Sequence, residues 1–203
     1  MQFLHYNAVI SRLKLSALAL NLGIENQKDS TTYLAFNQTF GTRAVYTAEK
    51  IEIAASGYVQ TGKLEENNLL GWFASANIKY QISDHLSGTL GYEYLSGTDQ
   101  NSSGKTVTSF NPWFGTNHKF NGAMDYFYVG NHINSVGLND FWGNLQYTNQ
   151  AYSIGAQPHV FYAPAAVVSP INEKMDSYLG TEIDVTLGYK INQFVDLKLG
   201  YSQ

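Results

Sequence analysis

His118, Asp125 and His132 recur at seven-residue intervals, and together they are the residue types that ligate zinc or shuttle protons. Zinc-type histidine pairs lie roughly three to five residues apart or sit on rigid elements, and no second pair accompanies these. The spacing suits His118 and Asp125 hydrogen-bonding their segment into a folded shape, so no metal is expected. A hydrolase would need a nucleophile, a histidine base and an orienting partner. No Gly-x-Ser-x-Gly occurs, and Gly155-Ala156-Gln157-Pro158-His159 offers only a strand histidine. Phosphate-loop and dinucleotide fingerprints are absent too. The expectation is therefore no catalytic residue, no cofactor and no enzyme. Asn37-Gln38-Thr39 and Asn101-Ser102-Ser103 match the glycosylation acceptor, a pattern short enough to arise by chance.

A second set consists of charges that alternate with apolar residues: Lys14, Glu52, Lys79, Glu93, Glu182, Asp184, Lys190, Asp196 and Lys198. Charged rings in a pore tune which solutes pass. The plainer role is cross-strand pairing in a wet interior, worth roughly 0.2 to 1 kcal/mol per pair. Either role requires strands to hold these residues on one face.

The recurring period is two. In 178–191, Leu179, Thr181, Ile183, Val185, Leu187, Tyr189 and Ile191 oppose Gly180, Glu182, Asp184, Thr186, Gly188 and Lys190. The same alternation runs through 194–202 and 50–60. A helix would need three-to-four spacing, and each interior glycine would cost it about 1 kcal/mol. Strands are predicted over 1–8, 13–24, 38–46, 50–60, 70–80, 86–96, 140–148, 152–162, 178–191 and 194–203.

Composition says where such strands belong. The chain has 203 residues, net charge −4, no cysteine, and as much aromatic as charged content, 14% each. A soluble domain carries about a quarter charged residues, so this surface does not face water everywhere. Arg12 and Arg43 are the only arginines, which argues against nucleic acid as a partner. No stretch reaches the roughly 20 apolar residues of a membrane helix. A closed barrel is the other way to satisfy backbone groups in lipid. Arg12 and Lys14 before Leu15 to Leu20 have the order of a secretory signal. Asn21 and Gly23 interrupt that stretch, so no targeting segment is expected.

Short turns are predicted at 47–49, 81–85, 148–151 and 192–193, with long connectors at 25–37, 61–69, 97–139 and 163–177. Short turns on one rim and long loops on the other is an outer-membrane barrel layout. Parity then makes 97–139 one outer loop, since a lone extra strand would break the alternation. Its aromatics predict a loop folded over or into the lumen, with Trp113, Phe114, His118, Asp125 and Tyr126 as the constriction. Trp72, Phe73, Tyr80, Tyr92, Tyr94, Phe141, Trp142, Tyr147, Tyr152, Tyr162, Tyr178 and Tyr189 lie near strand ends, as in interfacial girdles.

Gly91-Tyr92-Glu93-Tyr94-Leu95-Ser96-Gly97-Thr98-Asp99 is followed by Phe110-Asn111-Pro112-Trp113-Phe114-Gly115-Thr116-Asn117-His118-Lys119-Phe120-Asn121-Gly122 and Met124-Asp125-Tyr126-Phe127-Tyr128. Over these blocks the chain resembles the alginate-export family of outer-membrane β-barrels, in its Bacteroidetes-type members. Val136-Gly137-Leu138-Asn139-Asp140 and Ser177-Tyr178-Leu179-Gly180-Thr181-Glu182-Ile183-Asp184 are similar too. The resemblance implies a barrel of about eighteen strands in the outer membrane of a Gram-negative bacterium, inserted by the barrel-assembly machinery and contacting lipid. It would be a passive pore for a polysaccharide or other hydrophilic solute. Nine or ten strands are counted here, so 1–203 reads as a partial barrel, its C-terminal half, with Met1 internal. Two arginines suit an anionic uronate polymer poorly. The alternative reading is a soluble or lipid-binding barrel enclosing a small apolar ligand.

Overall fold

The computed structural model describes residues 1–115, 120–127 and 130–203, and among these it is all-β with no helix. Ten strands follow one another in a single antiparallel sheet: β1 (Gln2–Ile10), β2 (Leu13–Lys28), β3 (Thr31–Thr47), β4 (Ile51–Leu64), β5 (Asn67–Gln81), β6 (Leu86–Leu95), β8 (Leu138–Thr148), β9 (Tyr152–Tyr162), β10 (Tyr178–Lys190) and β11 (Asp196–Ser202). The two-residue β7 (Thr106–Val107), not foreseen from the sequence, lies between β6 and β8 in the chain and pairs in parallel with Asn68 and Leu69 of β5. The sheet is open, with β1 and β11 at its edges.

Register assigns the faces. Val45↔Ala54, Ser56↔Ser75, Glu93↔Asp140 and His159↔Glu182 are directly opposed pairs, so one period-2 set runs unbroken across the sheet. That set contains all nine alternating charges. The other set is apolar and exposed: Trp72 is 53% accessible and Leu90 68%. Among the described residues the charges on this apolar face are Glu25 and Lys63, both near hairpin tips.

Connectors at one end, the turn end, are short, from 11–12 round to 191–195. At the other, the loop end, two connectors expected to be long are two-residue turns. The ladders run out to Lys28↔Thr31 and Leu64↔Asn67, closing at 29–30 and 65–66. Polar side chains such as Glu25, Asn26 and Gln27 read as loop, but the ladder needs only main-chain groups. Asp29 (φ 52°) and Glu65 (φ 53°) close these turns in the left-handed region. Lys28 and Glu66 pair between the two hairpins.

The connection from β6 to β8 is the long one, and those strands are antiparallel neighbours. Its limbs cross at a glycine neck. A Cβ on Gly97 would stand 1.9 Å from the Val136 carbonyl oxygen, and Gly137 takes φ +75°. From there the loop lies on the polar face. Its Phe110 packs with Leu95, Leu138 and Phe161, joined by Tyr58, Phe73, Phe127 and Leu179. The hydrophobic core is thus sandwiched between sheet and loop.

Candidate functional site

Backbone polar groups of the loop must be satisfied where they are buried, and the sheet supplies partners. The Gln60 amide acts as a surrogate strand, accepting from the Asn111 N–H at 2.9 Å and donating to its carbonyl at 2.6 Å. Within the loop itself, the Thr98 hydroxyl accepts from the N–H groups of Thr108 and Ser109 at 2.9 and 3.0 Å. Further along, two carboxylates of β10 receive the loop: Asp184 accepts from Ala123 N–H at 3.1 Å and Glu182 from Met124 N–H at 2.8 Å. Gly122 (φ +85°) is required there, since a Cβ would stand 2.5 Å from the Glu182 carboxyl carbon.

Beneath this docked segment lies a cluster that alternation places on β6, β8, β9 and β10. His159 and Asp140 are buried, and the ring Nδ1 lies 2.8 and 3.0 Å from the two Asp140 oxygens. A carboxylate only accepts, so Nδ1 carries the proton and Nε2 accepts from the Gln157 amide at 2.9 Å. The imidazole is stacked between Trp142 (6.4 Å between centroids) and Phe161 (5.5 Å). Asp184 Oδ2 stands 3.8 Å from Nε2, beyond hydrogen-bond reach. With both nitrogens engaged and no hydroxyl bonded to either among the described residues, the ring is placed to hold Asp140 and Gln157 rather than to activate a nucleophile.

Arg43, Glu93, Asp140, Trp142, Gln157 and His159 line a cavity of about 250 Å³ that is roofed by Phe120 and Asn121 of the loop. A second, apolar pocket of about 220 Å³ lies between Leu18, Tyr58, Phe73, Phe110 and Trp113.

The nine alternating charges divide into two groups. Glu93, Glu182 and Asp184 stand in the loop-covered region. Lys14, Glu52, Lys79, Lys190, Asp196 and Lys198 stand near the turn end, where all but the half-buried Glu52 are exposed. Sequence reasoning omitted Arg43, Asp140 and His159 from this set, although each shares its parity. Asp140 stands so near the start of β8 that few residues show its phase. Phe73 and Trp142, expected in the girdles, belong to the polar face, as their pairing with Tyr58 and His159 requires.

The residues expected at the constriction take different positions on the loop. Trp113 is half-buried and lines the apolar pocket, and Asp125 is half-buried at φ 53°. Phe114 and Tyr126 point outward, 72% and 76% accessible, so Phe110 and Phe127 are the aromatics packed on the sheet. The reason is local phase: Phe127 packs against Phe161, ring centroids 4.6 Å apart and planes tilted by 53°, while its neighbour Tyr126 is left exposed. His118 and Tyr128 lie outside the described residues.

His132 is buried and stands 3.4 Å from the Asn121 amide nitrogen. Burial pushes its pKa down to about 4, so at neutral pH it is an uncharged part of the loop. Among the described residues no group of three histidine or carboxylate side chains is arranged to hold a metal. The chain matches no protein-family model and no curated protein.

Proposed function

We propose that the chain forms part of the wall of a porin-like pore in the outer membrane, through which a polysaccharide or other hydrophilic solute passes without chemical change. The observation that carries this is the inverted polarity of the sheet. Its free face is apolar and its covered face is polar, the reverse of a soluble sandwich. On the apolar face Tyr80, Tyr147, Tyr152 and Tyr189 border the turn end, while Trp72, Phe141, Tyr162 and Tyr178 border the loop end. On β9 the two aromatic rows are ten residues apart, roughly 33 Å of strand. A tilt of about 40° reduces that to about 25 Å, the height of the lipid-facing band of such barrels.

The loop narrows the pore from the polar side, and the charges beside it select the solute. Lipid meets the apolar face, and insertion falls to the barrel-assembly machinery. Unpaired backbone at β1 and β11 would cost several kcal/mol per group in lipid. Those edges therefore pair with further strands, as the resemblance to alginate-export barrels implies, or with a second copy. A barrel enclosing an apolar ligand would turn the apolar rows inward, whereas the loop covers the polar face.

Planar-bilayer conductance tests the proposal, comparing this chain with one extended at both ends by the adjoining coding sequence. Stable unitary steps from either protein are expected. Neither conducting, together with a chain that stays dissolved without detergent, overturns the pore and favours the ligand-enclosing barrel.

A further inference from the structure

The cavity under the loop has unmatched hydrogen-bonding groups. Asn121 is 2% exposed and spends its amide nitrogen on the Phe127 carbonyl and on the contact with His132. Its Oδ1 is buried with no partner among the described residues, and Asn121 lines the cavity. A buried acceptor left unpaired costs about 1–3 kcal/mol, a cost that a donor entering the cavity would remove. The half-buried Glu93 carboxyl group lines the same space, near the charges of Asp140 and Arg43. Arg43 gives one N–H to Ser56 at 3.0 Å and keeps the rest of its fork beside the cavity. Trp142 adds an indole that closes over Gly91, where a Cβ would stand 2.2 Å from the ring.

Acceptors at Asn121 and Glu93, a donor fork at Arg43 and an aromatic wall at Trp142 match a solute whose groups both give and take hydrogen bonds on a partly apolar ring. We infer that this cavity binds one neutral pyranose unit. At about 250 Å³ it falls just under the roughly 300–1,000 Å³ of drug-sized pockets, which suits a single ring. With Glu93 and Asp140 facing a single Arg43, the cavity offers no net positive charge to hold a uronate carboxylate. Glucose-like units are accepted and uronates are not.

The inference rests on the pore reading only for the solute's route to the cavity, and its test needs no pore. The chain is held in micelles of a sugar-free zwitterionic detergent and titrated calorimetrically with methyl β-glucopyranoside and sodium glucuronate. The neutral glucoside is expected to bind, and glucuronate about tenfold more weakly or worse. Glu93→Gln is expected to weaken the glucoside several-fold and to narrow its advantage over glucuronate, with unchanged hydrogen-exchange protection of the loop showing that the fold is kept. The wild-type ranking needs no variant. No binding of the glucoside, glucuronate binding as tightly, or a folded Glu93→Gln that binds as wild type each overturns the site. Binding without conductance removes the pore and keeps the site; conductance without binding does the reverse.

Discussion

The two ends of the polar face carry the same alternation of residues and end up as different surfaces. At the turn end, four lysines, Lys14, Lys79, Lys190 and Lys198, stand with Glu52 and Asp196 and are largely exposed. Under the loop, Glu93, Asp140, Glu182 and Asp184 stand with one arginine, Arg43, and the last three are buried and bonded to His159 or to loop amides. Strand period alone makes a charge face inward. Only burial makes it choose among partners, because interactions between exposed charges are screened within about 10 Å. In the proposed pore the acidic region is therefore the part that discriminates between solutes, whereas the lysine-rich end biases only the approach of ions.

The comparison is broken most severely by removing the ring that joins the two layers. Phe161→Ala deletes the wall shared by Phe110, Phe127 and His159 and should cost about 3–5 kcal/mol. Hydrogen exchange across 108–111 and 121–127 should accelerate, while amides at the turn end of β9 keep their protection. Unchanged exchange in the loop would mean that something other than this core holds it down.

Acidification should act next. His132 is buried with a pKa of about 4 against an ordinary 6.5. Between these values the undocked loop binds more protons than the docked one. Docking is therefore strongest above pH 6.5 and weakens as pH falls towards 4, by up to about 3 kcal/mol. Limited proteolysis of the loop as a function of pH reads this, and the trend should flatten in His132→Asn. A loop equally resistant at pH 4 and 7 would show that its docking does not depend on a neutral His132.

Gln60→Ala should cost about 1–3 kcal/mol, because it leaves the Asn111 N–H and carbonyl buried without partners. Hydrogen exchange of the amides at 108–111 is the sensitive readout, since a loosely held loop opens more often. Lys198→Ala, at the exposed end, should change stability by no more than about 0.5 kcal/mol. A larger effect in urea denaturation would erase the distinction between the two ends.

Face assignment was legible in the residues because side chains alternate strictly along a strand, and a one-residue error in β10 would have reversed Glu182, Asp184 and Lys190 together. Strand ends were less legible. Asn67 and Asn68 are polar enough to read as loop, yet they pair with Leu64 and Lys63 through main-chain groups, which tolerate polar side chains. Half the candidate site was visible as Glu93, Glu182 and Asp184. Asn121 was not, since nothing local marks a loop asparagine that will arrive beneath a sheet formed by residues far away in the chain.

The sequence by itself determined that the chain is β, which side chains share a face, and that 97–139 is a long aromatic connection. Tertiary structure alone decided where that connection docks and which charges it buries. The physical reason is range. Alternation is a property of neighbouring residues, while the bonds from Gln60 to Asn111 and from Glu182 to Met124 join positions 51 and 58 residues apart. Such contacts form only after the sheet has brought its strands into register, and the choice between an exposed lysine-rich rim and a buried acidic cavity belongs to that later step.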